Sequence, residues 1–478
     1  MSHVSGPAED LGFSSISDLR ADLTENLISA TELVAELTDR INQIDDCENG
    51  LNSVLAINSM LENQVEKVDL SKPLGGIPIL IKDNIECVGL PATAGSLALV
   101  GRQVTNSAPL VQALEKSGAI ILGSTNLSEW ANIRSGKSTS GWSAVGGLTA
   151  NPWKYSHSAG GSSSGSGAAV AAGLVPAAIG TETDGSIVCP ASLNGIVGIK
   201  PTVGSVSTQG IVPISSSQDS PGPLARNVTD AATVLEVLLN KSGLVEQVSD
   251  PKSLTVGVVR QWLTSDQATN DIFENQLSNL TSTGIKLIDI ELPEISEEIG
   301  TDELTVLLCE LVHTMDHYLA NRAGDGVRSL ADVIEFNLRN KEIELAHFGQ
   351  EFFEIANESG GLTDDYRAVR ERNLNWAKSK VLDPALAGVD VLIGIPYGPS
   401  WRSDLVNGDN FASASWMTHP AAIAGYPIAS LPMGFVNDLP VGLGVVASAG
   451  NEAKLVNALS QFEKVFDLAD LIPNFARD

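Results

Sequence analysis

The chain has 478 residues, 43% of them hydrophobic, which is enough for an ordinary globular core. Its 29 Lys and Arg stand against 58 Asp and Glu, and the resulting formal net charge of −29 argues against nucleic acid as a partner. No apolar run approaches the roughly 20 residues of a membrane span, and the start lacks a secretory signal, so we expect a soluble cytoplasmic protein unless a leader has been removed.

The first predicted elements are helices. Between Ser17 and Ile44 apolar residues recur at helical spacing, and Ser29 or Thr31 is placed to cap a second helix. We therefore predict a helical N-terminal flank over residues 1–70, followed by a single domain over residues 71–478.

Strand-like and helical patterns then alternate. The run from Ile77 to Ile81 predicts a buried strand that delivers Lys82 at its end. Helical patterns lie at 168–174 and at 231–239, the second with Thr229 as candidate cap. Further strand-like runs lie at 119–124, 254–259, 285–292 and 389–396. This alternation predicts an α/β fold with a largely parallel or mixed sheet.

Residues 303–382 have a different composition. They are rich in Leu, Glu, Ala and Arg, which predicts several successive helices, an insertion over the sheet. The cysteines are widely spaced and form no CxxC pair, which favours free thiols over a disulfide framework or a zinc site: Cys47, Cys87, Cys189 and Cys309.

Two clusters of Gly and Ser are the most unusual feature of the chain. The segment SAGGSSSGSG, residues 158–167, is followed by GTETDGSIVCPAS, residues 180–192. A phosphate-binding loop would need Lys and Ser or Thr after its last Gly, but Ala168 and Ala169 follow here. A flexible linker is also disfavoured, because the clusters lie between predicted core elements.

The second cluster places Ser186 after Gly185, in a turn that can present consecutive backbone N–H groups as an oxyanion hole. A serine nucleophile needs a base, but no histidine lies in a serine-hydrolase motif. His313 and His317 are one helical turn apart and, with Glu310, suggest a metal site, but without a further ligand motif a helix-surface or core pair is favoured. Cys189 is better explained as a packing residue than as a nucleophile.

The segment from Gly160 to Thr202 resembles the defining segment of the amidase signature family. GGIPILIKDNI, GSTNLSEWA, DSPGPLARN and GYPIASLPMG support the resemblance, which covers nearly the whole chain. Within the family, TETDGSIVCPA and SSSQDSPGPLAR are most similar to bacterial peptide amidases. The resemblance implies the amidase signature fold, a large mixed β-sheet core sandwiched between helices.

The resemblance also implies the roles of individual residues. Ser186 would be the nucleophile, Ser162 the bridging serine on a cis peptide after Gly161, and Lys82 the base, with Ser163 hydrogen-bonded near Lys82. The oxyanion hole would be the backbone of Thr183, Asp184, Gly185 and Ser186. Lysine acts as a base only when its amine is neutral, and the apolar strand before Lys82 would supply the desolvation. From the residues alone, a surface ion pair with Asp83 is favoured for Lys82.

Two positions depart from the family pattern. Asp184 stands where glycine is common, and Val188 stands where arginine is common. The loss of the arginine removes an anchor for acidic substrates. The substrate pocket is expected near Trp130, Ile133, Trp142, Tyr397 and Trp416. The aromatic residues in this set fit an ordinary core equally well.

The implied activity is hydrolysis of a carbon–nitrogen amide bond through an acyl-enzyme. The substrate would be a primary amide, including a peptide C-terminal amide, with no metal and no organic cofactor. One alternative is hydrolysis of anilide, ester or carbamate bonds by the same triad. Another is the amidase subunit of a tRNA-dependent amidotransferase complex. Otherwise we expect a small-molecule or peptide amide as the partner, and a monomer or homodimer without contact to nucleic acid or membrane.

Overall fold

Helices and strands alternate along the chain in the computed structural model, which describes residues 11–245, 250–469 and 471–477. The strands are β1 (Val54–Ile57), β2 (Pro78–Lys82), β3 (Ile120–Thr125), β4 (Trp142–Ser143), β5 (Gly147–Leu148), β6 (Ala177–Glu182), β7 (Val197–Lys200), β8 (Ser220–Ala225), β9 (Thr255–Val258), β10 (Lys286–Asp289), β11 (Val391–Gly394), β12 (Ile428–Val436) and β13 (Leu439–Val446).

The helices before β9 are α1 (Ile16–Thr24), α2 (Ala30–Ile44), α3 (Leu61–Glu66), α4 (Pro109–Lys116), α5 (Ser164–Ala171), α6 (Val188–Asn194) and α7 (Val228–Leu239). Those after β9 are α8 (Gln267–Ser282), α9 (Glu297–Asn321), α10 (Leu330–Arg339), α11 (Lys341–Glu344), α12 (Glu351–Glu358), α13 (Asp364–Asn375), α14 (Asp383–Ala385), α15 (Thr418–Ala424) and α16 (Glu452–Phe466). A π-helical stretch, Trp376–Leu382, connects α13 to α14.

The helix α2 begins at a reciprocal cap. The Ser29 side chain accepts the backbone N–H of Glu32, and the Glu32 carboxylate accepts the backbone N–H of Ser29. The prediction of Ser29 as a cap is therefore confirmed, whereas Thr31 lies inside the helix. The apolar stripe of α2, which includes Leu33 and Leu37, is buried. Residues 1–10 of the predicted flank, including His3, lie outside the described residues.

One mixed sheet organises the molecule. Its eleven strands lie in the order β1-β3-β2-β6-β8-β7-β12-β13-β11-β9-β10. Strand β2 is parallel to both of its neighbours, β3 and β6, whereas β12 and β13 form an antiparallel pair. The predicted mixed sheet is confirmed. The strand predicted at 285–292 is shorter, because the edge strand β10 pairs only with the four residues of β9.

Helices cover the sheet and form the main apolar core with it. Buried residues of α1, α2, α4, α5, α7, α8 and α16 belong to that core. Two predicted helix starts were wrong. Helix α7 is capped by Asn227, whose side chain accepts the N–H of Asp230, and Thr229 lies in its first turn. The apolar pattern from residue 231 onward marks only the buried side of α7, and the helix itself begins earlier, directly after its cap. Helix α5 begins at Ser164, because its first turn consists of buried Ser and Gly residues that add nothing to the apolar pattern.

The helices α9 to α13 follow one another, and α9, α10 and α12 have an apolar cluster of their own. It includes Leu311, Met315 and Phe353, and it packs against Trp130 and Ile214 of the sheet-bearing part. This segment, which we call the helical cover, thereby lies over the loops at the end of β2 and β3. In the residues that the structure describes, no helix combines the length and apolarity needed to cross a bilayer.

Candidate active site

Lys82 is the last residue of β2 and is fully buried. Its Nζ donates to Ser162 Oγ at 2.7 Å, to Thr181 Oγ1 at 2.9 Å and to the Thr181 carbonyl at 3.3 Å. Burial lowers the pKa of Lys82 to about 7, although the carboxylates of Asp219 and Glu182 act in the opposite direction. A substantial fraction of this amine is therefore neutral at neutral pH.

The surface ion pair favoured from the residues alone does not form. Asp83 is buried, and its carboxylate accepts the backbone N–H groups of Ala92 at 3.1 Å and Thr93 at 2.9 Å. Because the two residues alternate across the end of the strand, Asp83 holds the following loop while Lys82 points toward Ser162.

The first Gly and Ser cluster leads into α5. The peptide bond between Gly161 and Ser162 is cis, as the resemblance implied. A Cβ on Gly161 would overlap the hydroxyls of Ser128 and Ser140, so the chain needs glycine there. The Ser163 hydroxyl donates to the Thr181 carbonyl at 3.1 Å. Ser163 and Lys82 thus share Thr181 as a partner, and no sequence motif pointed to Thr181.

Ser186 lies in the turn between β6 and α6, which we call the nucleophile turn (residues 183–187). Its carbonyl accepts the N–H of Ser163 at 3.2 Å, so the two Gly and Ser clusters meet here. The Glu182 carboxylate accepts the N–H groups of Ile187 at 2.7 Å and Val188 at 2.9 Å. The Thr183 hydroxyl donates to Asp219 at 2.6 Å. Side chains on both sides therefore fix this turn.

Gly185 has φ +76° and a Cβ there would overlap the Tyr397 hydroxyl. We expect Gly185→Ala to lower kcat/KM by about tenfold or more, because the turn must move away from Tyr397. Gly204→Ala is the matched control, since Gly204 has φ +81° and nothing within 4 Å. The control should cost about 1 to 2 kcal/mol of stability and little activity. Equal losses of activity in both variants would show that the contact with Tyr397 is irrelevant.

A cavity of about 280 Å³ opens onto Ser186. Gly161, Thr183 and Asp184 line it, together with Ile133 and Tyr397 from the expected pocket residues. The other expected residues pack elsewhere: Trp130 against Phe353, Trp142 against His347 and Phe348, and Trp416 against Trp262 and Trp376. The remaining wall includes residues that sequence reasoning missed, among them Ile214, Leu307, Phe352, Asp409 and Phe411.

Next to the nucleophile turn lies a cluster that sequence reasoning missed. His419, in the first turn of α15, makes a hydrogen bond through Nδ1 to Asp184 and approaches Glu303 of α9 at 3.0 Å. Burial alone would lower the pKa of His419, but the two carboxylates outweigh it and hold that pKa well above its ordinary value of 6.5. The Gln218 side-chain amide donates to Glu303 at 2.9 Å and to the Thr183 carbonyl at 3.4 Å. No spacing signal links these residues, which lie far apart in the chain.

The other candidate groups from the sequence have structural roles. His313 and His317 are exposed on α9, so of the two interpretations, a helix-surface pair or a core pair, the surface pair is the correct one. The Glu310 carboxylate accepts from Ser217 N at 3.0 Å and from the Tyr366 hydroxyl at 2.5 Å. The four cysteines are free thiols, as predicted, and burial raises the pKa of the Cys189 thiol, which fits packing better than nucleophilic attack.

Comparisons with known proteins place the chain among amidases. Residues 32–456 match the model of the amidase family. The chain is 32% identical over 484 residues to a glutamyl-tRNA(Gln) amidotransferase subunit of Prochlorococcus marinus (strain NATL2A), covering 94% of this chain and 97% of that one. The structure of native peptide amidase from Stenotrophomonas maltophilia superposes with a TM-score of 0.90 at 37% identity, covering 97% and 98%. A structure of the peptide amidase PAM with the competitive inhibitor chymostatin gives a TM-score of 0.91 at 38% identity, covering 96% and 99%.

Proposed function

This chain belongs to the amidase family and hydrolyses amide bonds, and from that premise we propose that Ser186, Ser162 and Lys82 cleave a primary amide, including the C-terminal amide of a peptide. The observation that most supports the proposal is the 2.7 Å hydrogen bond from Lys82 Nζ to Ser162 Oγ. This bond joins the buried amine of Lys82, whose pKa is lowered, to Ser162. The next residue, Ser163, contacts Ser186.

In the proposed reaction, neutral Lys82 accepts the proton of Ser162 while Ser162 accepts the proton of Ser186. Ser186 Oγ attacks the amide carbon, and the carbon–nitrogen bond breaks as the relayed proton passes to the departing nitrogen. Ammonia leaves and the acyl group stays on Ser186. Water then attacks the acyl-enzyme through the same relay, which releases the carboxylic acid. Backbone N–H groups of residues 183–186 would stabilise the oxyanion in both steps.

The cavity wall supports a neutral acyl group. Among the described lining residues there is no Lys or Arg, whereas Asp184 and Asp409 both carry carboxyl groups. Val188, in the place where family members often have arginine, is fully buried in the apolar core. An acidic side chain would therefore find no Lys or Arg to pair with, and it would lie beside the carboxyl groups of Asp184 and Asp409. The similarity to peptide amidases favours a peptide amide.

A panel of substrates tests this proposal. We expect a blocked dipeptide amide with an apolar C-terminal residue to give the highest kcat/KM, with one ammonia released per acid formed. The same peptide ending in a glutamate amide should be slower by about tenfold or more, equivalent to roughly 1.4 kcal/mol of barrier. The matched anilide, methyl ester and ethyl carbamate complete the panel. Faster cleavage of the anilide or carbamate would contradict the primary amide as preferred substrate.

A second candidate function is the amidase subunit of a tRNA-dependent amidotransferase. The similarity to such a subunit over 97% of its length favours it. The isolated chain would then release little ammonia from peptide amides, and it would co-purify with a partner when expressed in its own host. Full activity on peptide amides without a partner would exclude this candidate.

A further inference from the structure

We propose that His419 is a positioning residue, which bridges Asp184 and Glu303 and thereby holds the nucleophile turn in the shape that presents Ser186. This inference rests on the proposed function, because it assigns the turn to catalysis. Asp184 lies two residues before Ser186, within the nucleophile turn. A side chain at this position can anchor the turn, which a glycine cannot do.

The bridge joins two carboxylates that would otherwise repel each other. Asp184 and Glu303 have side chains that are only 16% and 7% exposed, and both approach the same Nδ1 of His419. Two poorly hydrated carboxylates at one nitrogen repel each other unless a cation or a shared proton lies between them. Interaction with His419 lowers the pKa of Asp184 in spite of its burial, whereas burial and Asp184 raise the pKa of Glu303. The imidazolium form of His419 satisfies both groups.

Glu303 holds the turn at a second point. Its other carboxylate oxygen accepts the Gln218 amide, which also donates to the carbonyl of Thr183. Residues 183 and 184 are therefore both connected to the same glutamate. Because Glu303 belongs to α9, the helical cover contributes to the geometry of the turn as well as to the wall of the cavity.

Several charged or titratable groups surround the bridge. Arg370 of α13 faces Glu303, and its guanidinium donates to the carbonyl of Ile423 in α15. Glu182, Lys200 and Tyr397 interact electrostatically with Asp184, whereas Tyr366 and Glu310 interact with Arg370. Of these, Lys200 is the competing source of an alkaline titration, because burial lowers its pKa to about 8.

The bridge gives the activity an upper pH limit. Lys82 becomes neutral as pH rises through about 7, which produces the acid limb. His419 has a raised pKa in the folded protein, so its contribution is fully present below 6.5 and is lost as pH rises through the raised value. Activity should therefore fall on the alkaline side when His419 becomes neutral and the carboxylates repel each other.

The test uses His419→Gln, which keeps an N–H donor but cannot become a cation. We expect kcat to fall by about tenfold or more with KM changed less than twofold. The alkaline limb should move to lower pH, because the two carboxylates then need a shared proton. The double variant Glu303→Gln/His419→Gln removes one carboxylate and should recover most of kcat and lose this limb. His313→Gln, exposed on α9, is the matched control.

A measurement that does not depend on turnover accompanies the kinetics. In the Ser186→Ala variant, the imidazole proton signals of His419, assigned by their absence in His419→Gln, should titrate well above pH 6.5 by NMR. The proposal would be overturned if His419 titrated near its ordinary pKa of 6.5. It would also be overturned by a His419→Gln enzyme with wild-type kcat and an unmoved alkaline limb. If His419→Gln does not fold, the double variant Glu303→Gln/His419→Gln supplies both the assignment of the His419 signals and the kinetic comparison. The proposed triad can fail separately, through an active Ser186→Ala enzyme.

A metal ion is the other cation that could lie between these groups, since one ligand atom from each of Asp184, Glu303 and His419 lies within 4.8 Å of the others. Metal analysis of the purified protein, with activity measured after chelator treatment and after addition of zinc, separates the two cases. We expect no stoichiometric metal and full activity after chelation. Loss of activity that zinc restores in the wild type but not in His419→Gln would overturn the imidazolium bridge.

Discussion

Ser186→Ala should abolish turnover, with a loss in kcat on the order of 10⁴-fold or more, while the protein remains folded. Ser186 lines the cavity, and its carbonyl accepts the N–H of Ser163, the residue after the Ser162 that Lys82 contacts. Removal of the Ser186 hydroxyl leaves no covalent route, whereas the backbone of the turn keeps its hydrogen bonds to Glu182 and Ser163. Initial rates with the best peptide amide, together with the melting temperature, measure both parts of this prediction.

Cys189→Ser provides the comparison for this variant. Cys189 is the other candidate nucleophile that lines the same cavity, and the replacement changes only sulfur to oxygen. Because burial keeps its thiol protonated, we expect most of the activity to remain. Near-normal activity of Ser186→Ala, or a collapse of activity in Cys189→Ser alone, would reverse the assignment.

Lys82→Arg and Lys82→Met should each lower kcat/KM by about 10² to 10⁴-fold, the usual contribution of a general base. Arginine cannot act as the base because its guanidinium does not deprotonate at working pH. Methionine keeps an unbranched apolar side chain in the buried site without a titrating group. In the wild type, the acid limb of the pH profile should lie near pH 7, since burial lowers the pKa of Lys82 to about that value.

Stability measurements check the pKa of Lys82 without an assay of activity. Because the folded pKa is depressed from 10.5 to about 7, the folded state binds fewer protons than the unfolded chain between these values. The free energy of unfolding should therefore gain a contribution as pH rises from about 7 to 10.5, and lose it as pH falls through 7. Lys82→Met should lack this contribution. A Lys82→Arg enzyme with wild-type activity would show that another group is the base.

The position of Lys82 at the end of a buried strand and the proximity of the two Gly and Ser clusters could be predicted, because short contiguous segments carry the family resemblance. The residues alone favoured a surface ion pair for Lys82. The strand before Lys82 is one unbroken apolar run, and the structure buries all of it. Ser162 and Ser186 lie in two clusters joined by a single helix and strand, α5 and β6, so their approach follows from local connectivity. The mixed sheet follows from the alternation of strands and helices.

What the sequence could not predict depends on contacts between distant segments. His419 and Asp184 are 235 residues apart, and Glu303 comes from the helical cover. The three tryptophans expected at the pocket pack against aromatic side chains instead, because aromatic residues suit a core as well as a binding wall. The start of α7 was missed because Asn227 and Thr229 are both acceptable caps, and only the hydrogen bond to Asp230 decides.

The acyl-enzyme itself is the most direct test of the central claim. A slowly hydrolysed peptide ester, mixed with the protein and quenched in acid within the first turnover, should load the acyl group onto the chain. Intact-mass analysis should then show one acyl group per molecule, and peptide mapping should place it on Ser186. The adduct should be absent from Ser186→Ala and strongly reduced in Lys82→Met. An adduct on Cys189, or one that persists in Ser186→Ala, would contradict the proposed mechanism.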